Sequence, residues 1–282
     1  MCLVALSFTG ETIMTIVQAL ILGVVQGLTE FIPVSSSGHL VLVPHLLGWE
    51  FDHSRAFIFD VLVQWGTLFA VFIYYRKDLT DIAREFISTL RKGKPFATEN
   101  SRMGWYLILA TIPAVIVGLL FKDAIASAFS NPKITGFFLL LTAVLLIVAE
   151  LAGKRNRSTK EITWLDALWI GCSQVIALLP GVSRSGATIA GGMTKNLDRS
   201  SAARFSFLMS VPVMLGAGVL AFKDLFALQS IDGFLLPLLV GFLAALVSGY
   251  LAIRWLIAYL SKHSLYVFAV YCSLAGCLIL FF

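Results

Sequence analysis

The chain has 282 residues, 59% of them hydrophobic and 13% charged, against roughly 45–50% and about 25% in soluble domains, which excludes a soluble enzyme and marks an integral membrane protein. Its net charge of +5 would suit nucleic acid in a soluble protein. Here the basic residues fall in loops between apolar runs, so no nucleic-acid partner is expected. Residues 1–28 contain no Lys or Arg and no small-residue cleavage pattern, so they are expected to stay on the mature chain rather than leave as a signal peptide.

Residues 13–49 are apolar but interrupted by "FIPVSSSGH" (Phe31 to His39). Neither arm has the about 20 residues needed to cross a bilayer. Runs near 57–76, 104–121 and 134–151 are long enough. Between the first two lies "DLTDIAREFISTLRKGK" (Asp78 to Lys94), a basic amphipathic stretch expected on the membrane surface. Residues 164–198 are broken in the same manner by "LLPGVSRSGAT" (Leu178 to Thr188), and three more spans follow near 203–222, 234–256 and 265–282. Glu150 and Asp166 fall at the membrane boundary, where reaching water is expected to satisfy them. Gly241, Ala245 and Gly249 form a small-residue face suited to close helix contact. Cys2, Cys172, Cys272 and Cys277 have neither metal-ligand nor disulfide spacing and are expected as small buried hydrophobes.

The two interrupted segments match 148 residues apart: Gly23 with Gly171, Gln26 with Gln174, Val34 with Val182, Ser35 with Ser183, Ser37 with Ser185 and Gly38 with Gly186. The expected fold is therefore an all-α polytopic membrane protein. A single domain over 1–282 combines six transmembrane helices with two re-entrant helix hairpins, as repeats 13–151 and 164–282. If each hairpin returns to its own side, each half crosses three times and the halves are inverted. That topology puts Arg55, Lys122, Lys133 and Lys223 on one side and sixteen basic residues on the other. The richer side is then cytoplasmic, as in a bacterial inner membrane, with both termini external. The hairpin tips meet near the midplane, where irregular backbone is tolerable only around protein or a wet cavity; that cavity is expected to open outward.

Arg184 is the one basic residue away from loops and span ends, and a guanidinium at that depth needs a partner or an anion. With Ser183, Ser185, Gly186 and Thr188 around it at a helix start, it makes a candidate phosphate site. Pairing with Glu30, to knit the two hairpins together, is the other reading, and the two are compatible. The first tip brings Glu30, Ser35, Ser36, Ser37 and His39. Gln26 and Glu30, four residues apart, share a helical face. Glu30 suits general acid/base work, His39 suits proton transfer, and a hydroxyl beside both is a candidate nucleophile.

"QGLTEFIPVSSSGH" (Gln26 to His39) together with "PGVSRSGAT" (Pro180 to Thr188) resembles the two signature motifs of the undecaprenyl-diphosphatase family, the bacitracin-resistance membrane phosphatases. The resemblance covers nearly the whole chain. It implies hydrolysis of a polyprenyl diphosphate lipid to the monophosphate, recycling the carrier used for peptidoglycan. It also implies roles: Ser36 as nucleophile, Glu30 as the second acid of a Glu/Gln-x-x-x-Glu motif and His39 as the proton-transfer residue. Arg184 would bind the diphosphate, with the hydroxyls of Ser183 and Thr188, and with Ser35, Ser37, Ser185 and Gly186 in the same set. A divalent cation, Mg²⁺ or Ca²⁺, is implied at Glu30 and Gln26, although the Gln26 amide is a weaker ligand than the glutamate many members carry. A homodimer is a further expectation. Ser37-Gly38-His39 and Ser183-Arg184 also mimic the type 2 phosphatidic acid phosphatases, but Ala190 stands where that family needs a second histidine. The competing class is a secondary transporter or flippase for an anionic lipid, which uses the same inverted architecture.

Overall fold

The computed structural model describes residues 14–128, 132–227 and 233–281; Cys2, residue 13 and Phe282 lie outside them. Among the described residues the chain is helices and short connections, with one isolated β-bridge between Arg157 and Leu197.

The first interrupted segment is α1 (Ile16–Phe31) and α2 (Ser36–Leu47). Pro33 disfavours helical backbone at the residue before it, and Ile32 is accordingly extended, with ψ 132°. Ser35 then turns the chain at φ 70° and caps α2 by accepting from Gly38 N–H at 3.3 Å. After α3 (His53–Tyr74), α4 (Arg76–Arg91), α5 (Glu99–Leu120), α6 (Lys122–Ala128) and α7 (Pro132–Ala152), the second segment follows as α8 (Trp164–Ile176) and α9 (Arg184–Thr194). Its turn uses Gly181 at φ 94°, where a Cβ would come within 2.3 Å of the Thr135 carbonyl oxygen, so only glycine fits. Ser183 caps α9 by accepting from Gly186 N–H at 3.0 Å.

Both segments also begin alike. Thr15 caps α1 in a capping box with Gln18, and Thr163 caps α8 in a capping box with Asp166. The starts of α1 and α8, and of α2 and α9, are each separated by 148 residues. At 16, 12, 13 and 11 residues these helices fall short of the about 20 needed to cross.

Among the described residues four helices are long and apolar enough to span, over Arg55–Tyr74, Glu99–Leu120, Lys133–Ala152 and Leu235–Leu260, the last being α11 (Leu235–Leu260). Where the sequence predicts two further spans stand α10 (Arg199–Ala227), 29 residues with Pro212 inside it, and α12 (Tyr266–Phe281), an apolar helix of 16. Leu119, Leu151, Val267 and Leu274 are among many large apolar side chains left exposed, an outward face that fits lipid rather than water. The molecule is a multi-pass membrane protein.

Helix contacts run between the halves. α1 lies against α11, and α8 lies against α5. Glycine sets both distances: a Cβ on Gly23 would sit 2.3 Å from the Gly241 carbonyl oxygen, and one on Gly171 would sit 2.4 Å from that of Ala110. In lipid, such close backbone approach supplies the van der Waals contact that holds helices together. The Gly241-Ala245-Gly249 face is therefore a packing face, with Gly27 seated against Ala245 and Gly249.

Two expectations need correction. Glu150 does not reach for water. It is buried, and its carboxylate accepts from Arg155 Nη1 and Arg199 Nη2 (both 2.6 Å), Arg199 Nε (2.7 Å) and the backbone N–H of Leu265 (2.8 Å). It thereby ties the end of α7 to the starts of α10 and α12. Asp166, also buried, accepts from both Thr163 groups and from Arg157 at 2.7 Å, and this bond holds the Arg157 guanidinium above its usual range. A carboxylate taken from water needs such partners. Of the cysteines, Cys272 is buried as expected, but Cys172 and Cys277 are exposed on outward helix faces, where a small apolar thiol meets lipid at no cost.

Candidate active site

The two tips touch. Gly38, near the start of α2, approaches the Cα of Gly181 so closely that an added Cβ would lie 3.6 Å from it. Ser185 Oγ of the second tip donates to the Ile32 carbonyl of the first at 3.4 Å. Thr142 on α7 braces the second turn: its hydroxyl donates to Gly181 O at 3.2 Å and accepts from Ser183 N–H at 3.0 Å.

Glu30, on the last turn of α1 and 6% exposed, is the centre of the contact. Its Oε1 accepts from Arg184 Nη2 at 2.5 Å. Its Oε2 accepts from Ser36 Oγ at 2.6 Å and from Gln26 Nε2 at 2.9 Å. One carboxylate thus gathers a guanidinium from one hairpin and a hydroxyl and an amide from the other. Ser36 and Arg184 are the first residues of α2 and α9, so the unpaired N–H groups and positive ends of both helices flank this point. A carboxylate satisfies that field now, and a phosphate group would satisfy it as well.

The flanking hydroxyls repeat one motif. Ser35 Oγ and Ser37 Oγ stand 3.3 Å apart, and Ser183 Oγ and Ser185 Oγ 3.1 Å. Ser36 and Ser37 are partly exposed, whereas Ser35, Ser183, Ser185 and Gly186 are buried in the turns they cap or brace. Thr188 bonds the Arg184 carbonyl at 2.7 Å and Ser206 Oγ at 2.6 Å, which pins α9 to α10.

His39 bonds to other groups than the carboxylate. Its Nδ1 is 2.7 Å from the Ser35 carbonyl oxygen and its Nε2 is 2.6 Å from Tyr271 Oη on α12. The two rings lie nearly parallel, 10° between their planes and 5.7 Å between centroids, and meet edge to edge through the Nε2–Oη bond. Beside them a cavity of about 460 Å³ opens between α2, α7 and α12, its apolar walls including Leu42, Val43, Leu46, Ala275, Leu278 and Ile279.

Among the described residues no group of three or more His, Cys, Asp or Glu side chains gathers as a metal cage. Gln26 Oε1, however, is buried without a partner beside the Glu30 carboxylate. One amide oxygen and one carboxylate, completed by phosphate oxygens, form the all-oxygen set that Mg²⁺ or Ca²⁺ takes, so the residues present fit such an ion.

Thr142 and Tyr271 carry no motif and are missed by sequence reasoning. A tyrosine hydroxyl in the middle of the apolar α12 run is the signal that could have found the second.

The family model for bacitracin resistance protein BacA matches residues 19–278. A protein of Chlorobaculum tepidum called undecaprenyl-diphosphatase is 44% identical over 271 residues, covering 93% of this chain and 95% of its own. A protein of the same name from Chlorobium chlorochromatii is 45% identical over 275 residues, 95% and 96% of the two chains. Another from Alkaliphilus metalliredigens is 42% identical over 274 residues, 95% and 99%.

Proposed function

The chain belongs to the bacitracin resistance protein BacA family, and from that membership we infer that it is a membrane phosphatase. It hydrolyses undecaprenyl diphosphate to undecaprenyl phosphate and inorganic phosphate, which recycles the cell-wall lipid carrier and underlies bacitracin resistance. The observation that carries the chemistry to named residues is the Glu30 node: Ser36 O–H and the Arg184 guanidinium on one carboxylate, 2.6 and 2.5 Å away.

The mechanism follows from this node. The diphosphate competes with Glu30 for Arg184, whose planar fork suits two phosphate oxygens. Release from the ion pair leaves Glu30 as a charged base already hydrogen-bonded to the Ser36 proton. Ser36 Oγ attacks the terminal phosphorus, its proton passes to Glu30, and the bond from that phosphorus to the bridging oxygen breaks, freeing the lipid monophosphate. Water then hydrolyses the phosphoserine. Charge on the equatorial oxygens is met by Arg184 and by the N-terminal N–H groups of α2 and α9. His39, by the family resemblance, handles a proton in these steps. Gln26 and Glu30 would hold a Mg²⁺ or Ca²⁺ ion; when bound, it neutralises diphosphate charge.

The same reading takes the two broken segments as oppositely inserted re-entrant hairpins of an inverted repeat, with α10 and α12 as the fifth and sixth spans. The matched capping boxes, the matched Gly23 and Gly171 contacts and the reciprocal α1–α11 and α8–α5 packing support it. Both termini then face outward, the basic loops face the cytoplasm and the site opens outward. The cavity beside His39 takes the first isoprene units while the rest of the chain stays in lipid. A homodimer belongs to this reading too, and light scattering of the detergent complex tests it.

Purified protein in detergent should release phosphate from undecaprenyl diphosphate. Ser36→Ala should abolish release without loss of fold, and a monodisperse wild type that releases none would point instead to lipid transport.

A further inference from the structure

His39 has one ring nitrogen committed and one available, and the residue at the available nitrogen lies 232 positions away in the chain. We propose that Tyr271 is a positioning residue for His39: its hydroxyl holds Nε2, the ring nitrogen that the Ser35 bond leaves open, and keeps the imidazole in one orientation for protons to enter and leave there. The proposal rests on reading His39 as the proton-transfer residue.

The argument begins at Ser35. A backbone carbonyl only accepts, so the 2.7 Å contact from Nδ1 makes Nδ1 the protonated nitrogen. The same carbonyl accepts the His39 backbone N–H at 3.2 Å, so the ring is tied to the turn that carries the site. Nε2 of the neutral ring then holds a lone pair, and the group 2.6 Å away that can donate to it is the Tyr271 hydroxyl. When Nε2 takes a proton it becomes a donor, and the same hydroxyl, turned about its C–O bond, accepts. A phenol satisfies both states where a carboxylate or an amine would favour one. His39 is 9% exposed, so water is a poor substitute.

The ring contributes as well. Its plane lies 10° from that of the imidazole, which sets the hydroxyl close to the imidazole plane, where the Nε2 lone pair lies. Tyr271 is held in turn by its neighbour Cys272, buried with Sγ 3.6 Å from the Pro33 carbonyl oxygen, so α12 is registered against the first hairpin turn. The other titratable groups at this wall are His45 on α2 and Lys133 on α7, both lining the adjoining cavity. His39 and Tyr271 both line that cavity, so an isoprene chain seated there would press on the pair. Lipid occupancy and imidazole position are thereby coupled.

The test uses the full chain in detergent, selectively labelled with ¹⁵N-histidine, and phosphate release from a prenyl diphosphate. Wild type should show His39 as the Nδ1–H tautomer. Tyr271→Phe keeps the ring and removes the hydroxyl. It should keep the Nδ1–H tautomer but shift the Nε2 resonance toward that of a nitrogen without a hydrogen-bond partner, with a roughly tenfold lower kcat and KM within about twofold, the size expected when one buried hydrogen bond fails. Tyr271→Leu should lower kcat further, and Tyr271→Phe should add nothing in a His39→Ala background. A Phe variant with unchanged Nε2 resonance and kcat, while His39→Ala is impaired, would overturn the role of Tyr271. Full activity in His39→Ala would overturn the reading of His39, and this proposal with it.

Discussion

Glu30→Gln separates charge from shape at the site, because the surroundings can rebuild almost every hydrogen bond around the amide. With the amide oxygen in the Oε1 place, Arg184 keeps its 2.5 Å contact. The amide nitrogen in the Oε2 place meets Ser36, whose hydroxyl turns to accept, and Gln26, whose buried and unpartnered Oε1 comes round when its own amide flips. Only the negative charge is lost. The Arg184 side chain is 18% exposed and partly hydrated. The stability cost is therefore expected at about 1–3 kcal/mol, below the about 3–5 kcal/mol for stripping one partner from a fully buried pair. Chemistry loses its base, and kcat should fall about 10²–10⁴-fold, which at ~1.4 kcal/mol per decade is roughly 3–5 kcal/mol of barrier. Phosphate release at saturating substrate, with thermal unfolding on the same sample, measures both. Glu30→Ala, which strands Arg184, Ser36 and Gln26 together, should unfold earlier. A folded Gln variant with kcat within threefold of wild type would refute the role of Glu30 in proton transfer.

Gly23→Ala and Gly171→Ala each drive a methyl to 2.3 and 2.4 Å from a facing carbonyl oxygen; each should cost about 1–3 kcal/mol in detergent unfolding, and an unchanged Tm in either would contradict the packing. Glu150→Ala leaves two arginines and a backbone N–H without their acceptor, and should destabilise by about 3–5 kcal/mol, while Glu150→Gln should recover part of that in the same melt. EDTA should slow phosphate release and added Mg²⁺ or Ca²⁺ restore it; a rate indifferent to both would remove the ion from Gln26 and Glu30. On α4, hydrogen bonds from Thr98 and Asn100 hold the Glu85 carboxyl below its usual range. Its contribution to docking α4 on α5 is full above the ordinary glutamate pKa of about 4.3 and fades as pH falls through the lowered value. Hydrogen exchange at the start of α5, corrected for intrinsic rate, should rise over that window and not above it.

The breaks in the two segments were legible because proline and glycine act through local backbone geometry: Pro33 forces Ile32 out of the helix, and Gly181 takes a φ no other residue takes comfortably. Glu30, Ser36 and Arg184 were legible as polar groups that lipid would otherwise penalise. The bond from Thr188 to Ser206 Oγ was not legible, because sequence spacing does not reveal which face of α9 the α10 helix will cover. Glu150 was misjudged for a related reason. Its acceptor role depends on Arg199 and Leu265, 49 and 115 positions away, and long-range convergence leaves no mark on a local pattern. Tyr271 is hidden in the same sense, one hydroxyl in an apolar run whose partner lies in the other half of the chain.

The 148-residue correspondence pairs Ser36 with Arg184, Glu30 with Leu178, His39 with Ala187 and Gln26 with Gln174. Gln174 has kept its amide, buried, with neither end bonded. Each hairpin therefore holds one portion of a reagent set: hydroxyl, acid and imidazole on one side, cation on the other. A twofold assembly of either half alone would present two nucleophiles with no cation, or two cations with no nucleophile. On the repeat reading proposed above, the two segments have divided this set between them, and giving either one its counterpart's sequence is expected to remove one portion of it.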